Sequence, residues 1–185
     1  MPFSVFFDVC SLYGEIYCDL FLTLAEERLY VPYWSQGVLD ELRRVVKLNN
    51  PTADIDKRIE YMQNFFPDAT ITSYETLIDS MTCDEGDRHV LAAAHMSPAH
   101  TLVTFNVKVF PEESLRNLPM SVKSPDDFLL DVLDINRAKV AQACFRRLKT
   151  YRNKPRTPEE YEQFLEVHTP NFAHELRPLL DVLEN

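Results

Sequence analysis

Short apolar runs along this chain give way to apolar positions that recur with period near four, and these changes of pattern predict its elements. Phe3–Phe7 is short, apolar and β-prone, ends at Asp8, and reads as a buried strand. Leu12, Ile16, Leu20 and Leu24 recur every four residues and predict an amphipathic helix from about Ser11 to Arg28, after which Pro32 breaks the chain. Ser35 can cap the next helix, whose apolar face is Val38, Leu39, Leu42, Val45 and Val46, and Asn49-Asn50-Pro51 stops it. A further helix runs from Asp54 to Phe66 and ends before Pro67. The alternating, β-branched run Ala69–Ser73 predicts a strand, Asp84 can cap a helix through His89, Val90, Leu91 and Ala94 to Met96, and Thr101–Phe105 predicts another strand, with a short one at Met120–Val122. From there on the pattern is helical: Ser124–Ile135, Asn136 to about Tyr151, Thr157–Val167 and Thr169–Leu183. Thr157-Pro158-Glu159-Glu160 is a capping box with Pro at the first helical position, and Thr169-Pro170 repeats the cap-then-Pro pattern.

Strands alternating with helices imply an α/β fold on a parallel sheet over residues 1–123, with a helical C-terminal region over 124–185 packed on it. Composition agrees. A 45% hydrophobic chain with 12 Phe and 8 Tyr can bury a sizeable core, which excludes a mainly disordered chain. Three Gly are too few for an all-β fold rich in tight turns, and they leave no Gly-rich phosphate loop. The four Cys form no Cys-x-x-Cys pair, which argues against structural zinc and fits a reducing compartment. No apolar run approaches the ~20 residues that span a bilayer, and the N-terminus lacks a basic leader, so a soluble cytoplasmic protein without membrane contact is expected.

Net charge is −10, which argues against a general nucleic-acid coat protein. The distribution is uneven. Eight of the 19 basic residues lie between Ile135 and Pro158 with no acid among them, leaving 11 basic against 29 acidic residues elsewhere. In open α/β sheets ligands bind beyond the carboxyl ends of the strands. Asp8 ends the first strand, Thr104 and Asn106 stand at the end of the Thr101 strand, and Glu41 and Asp87 lie near helix starts that could face the same edge. Converging carboxylates repel unless a cation holds them, and oxygen-only ligands suit a hard ion such as Mg²⁺ or Mn²⁺. Such an ion could activate water and offset phosphate charge. Each acid has a plainer reading: Asp8 could form a turn, Asp87 could complement a helix N-terminus, and Glu41 could be a solvated helix residue.

These same residues carry a resemblance. Phe7-Asp8-Val9-Cys10-Ser11-Leu12-Tyr13 resembles the opening motif of PIN-domain nucleases, and more narrowly the VapC-type toxins that read Asp-x-Cys-x-Leu-Tyr. Trp34-Ser35 through Leu39-Asp40-Glu41-Leu42, the run Asp87-Arg88-His89-Val90-Leu91-Ala92-Ala93-Ala94, Val103-Thr104-Phe105-Asn106, Phe110-Pro111 and Ser124-Pro125-Asp126-Asp127-Phe128 are similar to later landmarks of that branch, in order. The resemblance implies a PIN-like parallel sheet flanked by helices, with a helical C-terminal extension. It implies a metal-dependent endoribonuclease, the toxin of a toxin–antitoxin pair, using Mg²⁺ or Mn²⁺, with RNA as substrate and a cognate antitoxin as partner; dimers are common in the family. Asp8, Glu41 and Asp87 would be the metal-binding acids, Asn106 the fourth polar position, and Thr104 a group orienting an acid or water.

Two departures stand out. Val109 occupies a place where the family often has Asp, and Cys18 one where this branch often has Arg. Val109 and Asn106 favour the alternative, a catalytically inactive PIN domain serving as a protein- or RNA-binding module. In the basic segment, Arg146, Arg147, Lys149 and Arg152 are candidates for RNA contact, against a solvated face or an intramolecular match for the acidic body. His89, two residues after Asp87, reads as structural, and Cys10 as packing.

Overall fold

A computed structural model describes residues 3–184. The chain forms two compact units: one holds the residues up to Gly14 together with Val31–Ser124, the other Glu15–Tyr30 and the residues from Pro125 onward. In chain order the elements are β1 (Phe3–Phe7), α1 (Val9–Tyr13), α2 (Glu15–Glu26), β2 (Tyr30–Ser35), α3 (Gln36–Asn49), α4 (Ile55–Phe65), β3 (Thr70–Ile71), α5 (Arg88–Met96), β4 (Thr101–Val103), α6 (Glu112–Leu115) and β5 (Ser121–Lys123). Then follow α7 (Pro125–Ile135), α8 (Arg137–Leu148), α9 (Pro158–Glu166) and α10 (Pro170–Glu184).

The first unit is built on a sheet of five strands among the described residues, in the order β3-β2-β1-β4-β5. The β1–β4, β4–β5 and β2–β3 pairs are parallel. β1 is central because it is the most apolar strand: Val5, Phe6 and Phe7 are fully buried or nearly so. Its register sets Phe7 opposite Val103, so Asp8 and Thr104, the next residues, emerge side by side at the carboxyl edge. The Asp8 N–H donates to the Val103 carbonyl at 3.2 Å and closes that end. Ser35 ends β2 and caps α3, its Oγ accepting from the Val38 N–H at 3.1 Å.

The structure corrects several expectations. The helix expected over Ser11–Arg28 is two helices, broken at Gly14, whose backbone is extended. The four-residue spacing runs through the break because Leu12 fills the core of one unit and Leu20 and Leu24 that of the other. Pro32 does not interrupt the chain but lies inside β2, where Tyr30, Pro32 and Trp34 are buried and Val31 and Tyr33 half-exposed, a period of two. The ladder to β3 begins only at Trp34, so on that side the missing N–H of Pro32 costs no bond. Asp84 makes no capping bond; Glu85–Asp87 form a 3-10 turn and α5 starts at Arg88. β3 and β4 are shorter than expected, and the 3-10 turns Glu75–Ser80 and Val107–Val109, with α6, carry no strong periodicity in the sequence.

In the second unit α2 packs with α8, and α10 packs with α7, α8 and α9. The buried Tyr30 donates its hydroxyl to the Phe21 carbonyl at 2.5 Å and sets its ring edge against Phe128. Thr157 caps α9 as expected, accepting from the Glu160 N–H at 3.2 Å. Thr169 does not cap α10: its hydroxyl donates back to the Leu165 carbonyl. The N–H groups of Asn171 and Phe172 go instead to the buried carboxylate of Asp126 on α7, at 3.3 and 2.8 Å.

Candidate active site

Asp8 stands where β1 stops, 5% exposed. Burial of a carboxylate so deep requires partners, and each of its oxygens has them. Oδ1 accepts from the Val9 N–H at 2.5 Å, so Asp8 caps α1. Oδ2 accepts from the fully buried Thr104 hydroxyl at 2.8 Å and from the Cys10 thiol at 3.1 Å. Thr104 Oγ1 in turn accepts from the Asn106 N–H at 3.0 Å, and Cys10 Sγ accepts from the Phe105 N–H at 3.3 Å. Burial first, and the Asp8 charge next, push the Cys10 thiol up to about 11. It therefore stays protonated at neutral pH and acts as a donor, not a nucleophile.

Glu41 comes from α3. Its Oε1 lies 3.4 Å from Arg44 and its Oε2 3.2 Å from His89 Nε2. Asp87 closes the 3-10 turn ahead of α5, and its side chain neither caps the helix nor makes a hydrogen bond or ion pair among the described residues. Its carboxyl is raised above the ordinary value, first by burial, then by the charges of Asp8 and Asp84, with Glu41 adding and His89 offsetting.

Asp8, Glu41, Asp87 and Asn106 line one open cavity of about 600 Å³, with Tyr13 and Val45 among its apolar walls. Thr104 lies behind it, under Asp8. Parallel register brings Asp8, Thr104 and Asn106 together, the second turn of α3 brings Glu41, and the 3-10 turn ahead of α5 brings Asp87. Among the described residues, no three His, Cys, Asp or Glu side chains already stand as a ready metal-ligand set. Arg146, Arg147, Lys149 and Arg152 do not line this cavity. They belong to the other unit, where Arg146 pairs with Glu27, Lys149 with Glu184, and Arg147 makes a two-pronged pair with Asp19 that Tyr151 joins. Arg152 is exposed and makes no such pair among the described residues. His89, expected to be structural, does not line the cavity; its Nε2 lies 3.2 Å from Glu41 Oε2.

Residues 125–178 match the family model described as VapC50 C-terminal domain. Over 106 residues the chain is 37% identical to the protein of Mycobacterium tuberculosis (strain ATCC 25618 / H37Rv) named "Putative ribonuclease VapC50". That match takes in 57% of this chain and 63% of the relative, so the chain spans less than two thirds of the relative's length. No solved structure matches.

Proposed function

We propose, from the premise that this chain is similar to VapC-type PIN proteins with a helical C-terminal region, that it is a metal-dependent endoribonuclease and the toxin of a toxin–antitoxin pair. One observation carries the reading: carboxylates from β1, α3 and the start of α5 share a single cavity at the carboxyl edge of a parallel sheet. The donor set fits a hard cation. It is all oxygen, and Asp87 holds a half-buried, unpartnered carboxylate whose ionisation its acidic neighbours oppose. Asp8, Glu41 and Asp87 would hold Mg²⁺ or Mn²⁺, which when bound supplies a water of lowered pKa and positive charge for a phosphate.

The protein's own groups set the stage for that chemistry. Thr104 and Cys10 fix Asp8 Oδ2, and the Val9 N–H fixes Oδ1, so this carboxylate stays in place. Asn106, like Asn49, sets a neutral amide beside the cavity's three carboxylates, which lessens repulsion of an RNA backbone. In the basic segment Arg152 is the first candidate for RNA contact, because Arg146, Arg147 and Lys149 already have carboxylate partners. The partner is an antitoxin that places an Arg against the acids, since a guanidinium matches a carboxylate with two hydrogen bonds and supplies the cation's charge. Among the described residues no helix is long and apolar enough to cross a membrane.

Incubation with total RNA and Mg²⁺ or Mn²⁺, followed by end mapping, tests the activity. The expected products carry 5′-phosphate and 3′-hydroxyl ends. Asp8→Asn and Asp87→Asn should each remove activity by about 100-fold or more, the scale of single electrostatic groups in catalysis. A second reading, a non-catalytic RNA- or protein-binding module, is favoured by the engagement of both Glu41 oxygens and the absence of a ready ligand set among the described residues. RNA binding without cleavage in either ion would establish it.

A further inference from the structure

Tyr13 is the last residue of α1, and its side chain does not serve packing. It is 39% exposed, and among the described residues its ring makes no aromatic contact and its hydroxyl no hydrogen bond. The buried tyrosines differ. Tyr17 and Tyr30 donate their hydroxyls to backbone carbonyls, and the Tyr74 hydroxyl accepts from the Gly37 N–H at 3.2 Å. The backbone that carries Tyr13 is nonetheless fixed at both ends of its helix. Asp8 Oδ1 caps α1 at Val9, and Arg58 Nη1, from α4, donates to the Leu12 and Tyr13 carbonyls at 3.2 and 3.1 Å. Leu12 beside it is fully buried. The ring therefore leaves a fixed backbone and lines the acidic cavity.

Two helices that border this cavity grade from charge to apolar surface. Each starts where a strand ends, α1 after β1 and α3 after β2. Residues four apart share a helix face, one turn or about 6 Å further along. On α3 that face reads Glu41, Val45, Asn49; on α1, Asp8 caps the helix and Val9 and Tyr13 follow, and all six line the cavity. Beyond the carboxylates comes a strip of Val9, Val45 and the Tyr13 ring, and beyond that the Asn49 amide. Asn49 Nδ2 donates to the Val45 carbonyl at 3.0 Å, which leaves its Oδ1 without a donor among the described residues. A nucleotide carries matching chemistry in the same order: a phosphate for a cation held by the acids, a flat base face for the ring, and base N–H groups for the amide. We propose that Tyr13 is a stacking platform for one unpaired base of the RNA strand, held beside the phosphate that the acids address. This rests on the ribonuclease reading above and narrows its substrate to RNA that is single-stranded at the cut. A base inside a duplex has both faces covered, whereas an unstacked base can lie on an aromatic side chain.

The test is binding of single-stranded oligoribonucleotides to the full chain carrying Asp87→Asn, with Mn²⁺ present, so that the strand is bound and not cut; thermal melts confirm folding. In that chain Tyr13→Ala should weaken binding by about 5–150-fold, the worth of one stacked base. Tyr13→Phe keeps the π-face and should bind as tightly as Tyr13 does. Tyr13→Leu is apolar without that face and should lose nearly as much as Tyr13→Ala. An abasic nucleotide walked along the strand should find one position, flanking the cut, where the loss matches that of Tyr13→Ala and the two losses do not add. With Asp87 restored, pairing that nucleotide to a complementary strand should protect the RNA from cleavage. Undiminished binding by folded Tyr13→Ala, or additive losses at every position, would overturn the platform while leaving the acidic site standing. Cleavage of a fully paired duplex at the single-strand rate would overturn it too. Absence of both binding and cleavage of any RNA by the wild type would overturn the ribonuclease reading itself, and this inference with it.

Discussion

At the scale of single residues the cavity holds two carboxylates in opposite conditions. Asp8 is more deeply buried yet fully partnered, whereas Asp87 is less buried and unpartnered, and its carboxyl is raised by burial and by its acidic neighbours. The sign of the consequence follows. A carboxyl whose folded value lies above its ordinary 3.8 favours the folded state only while protonated. Below 3.8 folded and unfolded chains both carry the proton, and the full benefit is present. As pH rises through the raised folded value, the benefit is lost. In EDTA at neutral pH, Asp87→Asn should therefore melt above the wild type, and the gap should close as pH falls toward that range. Added Mn²⁺ should raise the wild-type melting point and leave that of the variant nearly unchanged. A variant less stable than wild type in EDTA at neutral pH would show that Asp87 has a stabilising partner.

At the scale of elements, helix ends are settled by whichever acceptor arrives with better geometry. Ser35 and Thr157 cap their own helices, as their neighbours in sequence foretell. Thr169 stands in the same kind of sequence, but its hydroxyl turns back to Leu165, and Asp126 serves α10 from another helix, also accepting from the Asn171 side chain at 2.7 Å. Asp126→Ala should consequently cost about 1–3 kcal/mol, since it strands buried N–H donors. Thr169→Val should cost less, because the first N–H groups of α10 keep their acceptor. Denaturant melts of the two variants would rank them, and the reverse order would return the capping role to Thr169. Arg146, Arg147 and Lys149 of the basic run likewise find their acids within the unit: Asp19 and Glu27 lie on or just after α2, and Glu184 on α10.

At the scale of the whole molecule, chain order and compact unit do not coincide. Residues 15–30 leave the first unit and supply α2 to the second, where Tyr17 donates its hydroxyl to the Leu165 carbonyl at 3.0 Å and Phe21 and Leu24 are fully buried. A fragment ending at Ser124 would keep α2 and lose its partners α8 and α9. It should aggregate or melt without cooperativity, whereas the full chain melts cooperatively. Size exclusion and calorimetry would decide, and a monomeric, cooperatively melting fragment would show that the first unit folds without the helices from Pro125 onward. Such a fragment would also retain every residue of the acidic cavity, so its failure would be one of folding, not of chemistry.

The sequence by itself determined the parallel α/β plan, the caps at Ser35 and Thr157, and the candidate acids Asp8, Glu41 and Asp87, because hydrophobic period and local capping chemistry act over a few residues and are written in order along the chain. Tertiary structure alone decided the break at Gly14, the inclusion of Pro32 in a central strand, the service of Asp126 to α10 and the pairing of His89 with Glu41. Each of these joins or separates groups according to which core a side chain fills and which acceptor lies within hydrogen-bond reach. Those distances are set only when remote elements pack, and no local pattern of apolar and polar residues encodes them.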